Sequence, residues 1–115
     1  MNRALIICLL SLGGIALQGQ NLVDEEGRKT GHWKVEYSNE RTLYEADFME
    51  GRPVGEMVRY HENGAVRARV IFETGSQRSY AFLFYESGKP AAEGWYLDQS
   101  KDSVWTYYSE FDGSV

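Results

Sequence analysis

Tyr60-His61-Glu62-Asn63-Gly64-Ala65-Val66-Arg67-Ala68-Arg69-Val70-Ile71-Phe72 decides the fold. From Ala65 to Phe72 the residues alternate. Val66, Ala68, Val70 and Phe72 fall on one face, with Arg67 and Arg69 opposite. A period of two marks a strand with one face on a core and one in water, as in an antiparallel sheet. Asn63-Gly64 stands just before it, and both residues tolerate positive φ, so a hairpin turn is expected there. Glu56–His61 then runs into the turn and Ala65–Phe72 runs out of it.

The same reading extends outward. In His32–Tyr37 the apolar face is Trp33, Val35 and Tyr37; in Leu43–Phe48 it is Tyr44, Ala46 and Phe48. Ala91–Leu97 and Ser103–Tyr108 alternate more weakly. Ser87-Gly88 and Asp112-Gly113 repeat the turn signal, and Ser38-Asn39-Glu40-Arg41 takes an equivalent place without a glycine. Gly27, Gly31, Gly51, Gly55 and Gly75 are expected at the other strand ends. Pro53 sits in the Glu50–Pro53 link, where a missing N–H costs little. Helical periodicity is absent after Asn21. The expected fold is all-β, an antiparallel meander of consecutive β-hairpins forming an elongated open sheet of seven or so strands. Tyr80-Ala81-Phe82-Leu83-Phe84-Tyr85 is apolar on both faces, so this strand is either covered twice or marks an association surface.

Tyr37, Tyr60, Tyr85 and Tyr108 are separated by 23, 25 and 23 residues, and Gly31, Gly55 and Ser103 precede three of them. A period in the low twenties signals a hairpin array, because a lone hairpin cannot bury its apolar face. Gly31-His32-Trp33-Lys34-Val35-Glu36-Tyr37, the Tyr60–Gly64 hairpin, the Gly51-Arg52-Pro53-Val54-Gly55 link, Ala91–Tyr96 and Lys101–Tyr108 together resemble the variant MORN repeat. The likeness is greatest to exported MORN-repeat proteins of Bacteroidetes labelled YwqK-like antitoxins, and it covers nearly all of residues 24–115. The resemblance implies a hairpin array and, through the family label, a role in neutralising a toxin. No single residue accounts for that label, and fold and activity are separable.

The N-terminus has a different character. Met1-Asn2-Arg3 is a short positive start, Ala4–Leu17 is uncharged and apolar, and Gln18-Gly19-Gln20-Asn21 turns polar. This is the layout of a secretory signal peptide, with cleavage expected after Gly19. The run is shorter than the ~20 residues a membrane-spanning helix needs. The expected organisation is a signal peptide over 1–19, a polar linker over 20–30 and MORN-like repeats over 31–115, incomplete at the C-terminus. The expected location is the periplasm, outer membrane or extracellular space. Removal of the leader takes away Cys8, the one cysteine, and Arg3, making the net charge of −5 more acidic still. Cys8 follows Ile7 inside the apolar run and reads as one more apolar residue, not a lipidation site.

The remaining residues offer little for catalysis. A nucleophile needs an adjacent base and a third orienting group. The repeats hold two histidines, His32 and His61, each among charged neighbours on a polar strand face. They form no zinc-type cluster, and Asp24-Glu25-Glu26 reads as a solvated charge run. No catalytic residue, cofactor or metal ligand is assigned, and an enzyme is not expected. Nucleic acid is disfavoured by the acidic balance. Direct membrane binding is disfavoured by the lack of a polybasic segment. The candidate partner-binding residues are the recurring aromatics Trp33, Tyr37, Tyr60, Tyr85, Trp105 and Tyr108; the bland alternative is that they stack one hairpin on the next. The expected role is a protein-interaction or scaffold module of the cell envelope. Its partner would be an envelope component, a toxin, or a second chain paired through an open C-terminal edge. A peptide- or glycan-binding module is the further alternative.

Overall fold

The computed structural model describes residues 20–115; the proposed signal peptide and Cys8 lie outside that range. The described chain is one antiparallel sheet in strict sequence order. Its strands are β1 (Leu22–Val23), β2 (Lys29–Glu36), β3 (Thr42–Met49), β4 (Arg52–Tyr60), β5 (Val66–Phe72), β6 (Arg78–Phe84), β7 (Pro90–Leu97) and β8 (Ser100–Tyr107). The expected all-β meander of hairpins is the observed one, with no helix among the described residues. Residues 22–23 and 29–30, inside the stretch read as a linker, add β1 and the start of β2. The sheet measures 53 × 34 × 16 Å, the thickness of a single layer.

Two kinds of turn alternate along it. At one edge the connections share a hydrogen-bond pattern: His61 N–H donates to Ala65 O at 2.8 Å and Gly64 N–H to His61 O at 2.9 Å. Residues 37–41 and 85–89 repeat it. This is a type I turn closed by a residue with positive φ. Gly64 and Gly88 supply that residue at φ 94°, and Glu40 does so at φ 71°. A polar side chain then caps each turn. Asn39 Oδ1, Asn63 Oδ1 and Ser87 Oγ accept from the N–H of Arg41, Ala65 and Lys89. Asn63-Gly64 is therefore the second half of a longer turn, not a two-residue loop. At the other edge Glu50-Gly51 forms a two-residue turn with both φ positive.

The structural repeat is 24 residues. Tyr37, His61, Tyr85 and Ser109 open the four turns. This revises the tyrosine spacing, since Tyr37 and Tyr85 are equivalent to each other, whereas Tyr60 and Tyr108 stand one place earlier. A ladder of side chains ties each turn to the next. Tyr37 O–H donates to Tyr60 O at 2.6 Å, His61 Nε2 bonds to Phe84 O at 2.9 Å, and Tyr85 O–H donates to Tyr108 O at 2.6 Å. Arg41, Asn63 and Lys89 add rungs to Glu62 O, Glu86 O and Glu110 O.

Gly31 and Gly55 lie inside strands and not at their ends. They share φ 73°, and Ser103 at φ 64° occupies the same repeat position. The β3–β4 and β7–β8 registers shift beside Gly55 and Ser103. These are bulges, and the positive φ of Gly55 and Ser103 re-aims the chain at each of them. The fourth equivalent, Ser79, is buried in an unshifted register and has no bulge.

Candidate functional site

The register assigns every paired residue to one of two faces. One face carries Ala46, Phe48, Ala68, Ser79, Ala81, Ala92 and Gly94, which are all the buried residues among those described. We call it the alanine face. The other carries Glu45, Asp47, Glu56, Glu93 and Asp102, and we call it the carboxylate face.

On the alanine face, large rings close over small residues. Trp33 on β2 and Trp105 on β8 are counterparts in the repeat. Trp33 Nε1–H donates to Leu22 O and Trp105 Nε1–H to Trp95 O, both at 2.8 Å, so each indole lies across the preceding strand. Under Trp105 is Gly94; a Cβ there would come within 2.5 Å of the ring. Each indole also carries a lysine from the start of its own strand. Lys29 Nζ sits 4.9 Å from the Trp33 ring centre and donates to Tyr44 Oη at 2.7 Å. Lys101 Nζ sits 4.8 Å from Trp105 and donates to Tyr107 Oη at 2.6 Å. That bond holds the Lys101 ammonium above its ordinary range. Arg59 rests on Tyr44, so this face has cations and, among the described residues, no strand carboxylate.

The carboxylate face is divided. Over β2–β4 it is polar. His32 Nδ1 meets Asp47 Oδ1 at 2.9 Å and His32 Nε2 meets Glu45 Oε2 at 3.3 Å. Those hydrogen bonds, to Asp47 first and then Glu45, raise the imidazole pKa. Arg69 of β5 reaches back to Glu56 at 2.6 Å. Over β5–β7 the same face is aromatic. Tyr80 packs edge-on against Phe82 and Trp95, with ring centres 5.1 Å apart in both pairs. The Arg78 guanidinium lies 4.1 Å over Trp95. Glu93 accepts from the hydroxyls of Tyr80 at 2.7 Å and Tyr108 at 3.0 Å, and those bonds raise both phenol pKa values. Large apolar side chains stand open along this face from β3 to β7: Met49 is 61% exposed, Val54 38%, Ile71 46% and Leu97 45%.

The residues singled out in the sequence are not gathered at one place. Trp33 and Trp105 occupy opposite ends of the alanine face. Tyr37 and Tyr85 spend their hydroxyls on the turn ladder, for which Tyr60 and Tyr108 supply backbone carbonyls. His61 is a rung of that ladder and not a solvated side chain. The cluster that does form is Tyr80, Phe82 and Trp95 with Arg78. Its signal in the sequence is the Tyr80–Tyr85 run, apolar on both faces. No group of three or more His, Cys, Asp or Glu able to hold a metal ion occurs among the described residues. Comparison of the chain with protein-family models, curated proteins and solved structures returns no match.

Proposed function

We propose that this chain is an exported, non-enzymatic interaction module of the cell envelope, built as a MORN-like hairpin array, whose contact surface is the carboxylate face over β3–β7. The observation that carries the reading is the one-sided placement of Met49, Val54, Ile71 and Leu97. Four large apolar side chains are left in solvent on one face of a single-layer sheet. Contiguous exposed apolar surface rimmed by polar groups marks protein contact sites. The composition agrees, since Tyr, Trp, Phe and Arg are enriched at the centres of interfaces. The leader-like pattern of residues 1–19 supports the export part of the reading. A sugar-stacking platform has less support. Trp33, Trp95 and Trp105 each carry a cation from the chain itself, which a sugar would have to displace.

A photo-crosslinking residue placed at Leu97 tests the proposal in cells that export the chain. Leu97 is expected to yield a discrete protein adduct. The same probe at Tyr107, exposed on the alanine face, is expected to yield none. Absence of any adduct from Leu97 would overturn the reading.

A further inference from the structure

We propose that the occupant of the carboxylate face is a second copy of this chain, packed face to face about a two-fold axis so that two single-layer sheets make a sandwich. This rests on the interaction reading above and names its partner.

Three observations converge. The first is the missing layer. Sheets with an apolar face are stable when a second layer covers it, and the two sheets then lie about 10 Å apart. Here the alanine face closes on itself, whereas Ile71, Tyr80, Phe82, Trp95 and Leu97 meet no second layer among the described residues. The second is size. The 53 × 34 Å outline of the sheet is about twice the ~800 Å² per partner that a stable interface buries.

The third is charge, which points to self-pairing over a foreign partner. Over β2–β4 the carboxylate face presents Glu45, Asp47 and Glu56 against Lys34 and Arg52. Over β5–β7 it presents the guanidiniums of Arg69 and Arg78 against one carboxylate, Glu93, which two phenols already occupy. The surface is thus acidic at one end and basic-aromatic at the other. An isologous contact sets a patch against its own rotated copy. A two-fold axis near the β4–β5 boundary would lay the acidic half of each copy on the basic half of the other. Both halves would be matched at once by the same residues. His32 and Asp102 lie on the same face, and both are engaged with its carboxylates or cations.

Sedimentation of the purified chain across concentration tests this. A dimer is expected, and Ile71→Glu with Leu97→Glu is expected to give a monomer that keeps its β-sheet circular dichroism. A charge exchange makes the test specific. Glu45→Lys with Asp47→Lys makes both halves basic, and Arg69→Glu with Arg78→Glu makes both acidic. Each variant alone is expected to dimerise roughly tenfold or more weakly, since like charges set against each other at an interface are costly. An equimolar mixture of the two is expected to associate again, because each half then meets its opposite. Only self-complementary packing predicts that rescue, and refolding defects would not produce it. A chain that stays monomeric, grows without limit, or forms a dimer indifferent to these substitutions would overturn the proposal. A monomer whose Leu97 crosslinks to a protein of different mass would overturn the second copy and leave the interaction reading standing. A monomer with no adduct would remove both.

Discussion

The two faces of the sheet share every strand and every backbone hydrogen bond, yet they solve burial differently. On the alanine face, small residues are sealed beneath large ones. Ala81 is fully buried and Gly94 lies under the Trp105 ring. On the carboxylate face, rings lean edge-on against one another, and Ile71 and Leu97 remain about half exposed. The difference teaches that a single layer can make a core of its own when small and large side chains alternate on one face. Where large ones are neighbours, they shield one another only in part. One face therefore carries the buried side chains among the described residues, and the other keeps large apolar side chains exposed.

The largest effect should come from placing the same charge on each face. Ala81→Glu would bury a carboxylate with no partner, and such changes belong to the class costing more than about 4 kcal/mol. In a small single-layer domain, that is expected to abolish the cooperative unfolding transition. Below the concentration at which the chain pairs, Leu97→Glu should move stability by no more than about 0.5 kcal/mol, as surface changes do. Urea denaturation of both variants measures the contrast. Equal losses would mean that the faces are equivalent after all.

Next in size is the lid of the alanine face. Gly94→Ala puts a methyl group where the Trp105 ring lies, and overpacking of this kind costs about 1–3 kcal/mol. Trp105 also donates its N–H to Trp95 O, so displacing the indole breaks a hydrogen bond as well. The expected signature is a lower unfolding midpoint with a shifted tryptophan emission. An unchanged midpoint would mean that the ring moves aside freely and seals nothing.

The turn edge holds both faces in register, and one position there is imperfect. Glu40 occupies at φ 71° the place that Gly64 and Gly88 fill in the next two hairpins. A side chain in that conformation is strained, so Glu40→Gly should raise stability by about 0.5–1 kcal/mol. Gly64→Ala is expected to lower it. If Glu40→Gly destabilises instead, the first turn is not the counterpart of the others.

Much of this architecture is legible in the sequence because it is local. The alternation of Val66, Ala68, Val70 and Phe72 fixes which side chains share a face, and Asn63-Gly64 fixes where the chain reverses. The positive-φ positions inside strands, Gly31 and Gly55, and the bulge beside Gly55 are not legible in the same way. A glycine in a strand and a glycine ending one look alike until the register to the neighbouring strand is known. The tyrosines mislead for a related reason. Tyr37 and Tyr60 are both aromatic residues before a turn, yet one donates a hydroxyl and the other offers a carbonyl. The rung equivalent to Tyr37 is His61, a different residue with the same reach. The proposed contact surface is half visible in the sequence. The Tyr80–Phe84 run announces an apolar strand with two apolar faces, but Ile71, Trp95 and Leu97 join it only through cross-strand pairing.

The smallest expected effect separates the faces by pH. The carboxylate face has a histidine, His32, held between Asp47 and Glu45; the cations resting on the rings of the alanine face are lysines and an arginine. His32 has its pKa raised above the ordinary 6.5 by those two hydrogen bonds. The folded state thus binds the proton more tightly than the unfolded chain. The stabilisation it gives is fully present below the unfolded value and is lost as pH rises through the folded one. His32 is 43% exposed, so solvent and salt screen the pair, and a few tenths of a kcal/mol is the scale to expect. Denaturation midpoints taken from roughly pH 6 to pH 9 should fall slightly for the parent chain and lie flatter for His32→Gln, with the difference shrinking in high salt. A slope of the opposite sign would mean that the imidazole is neutral where it meets Asp47. The acidic half of the carboxylate face would then be more negative near neutrality than the ion pairs suggest.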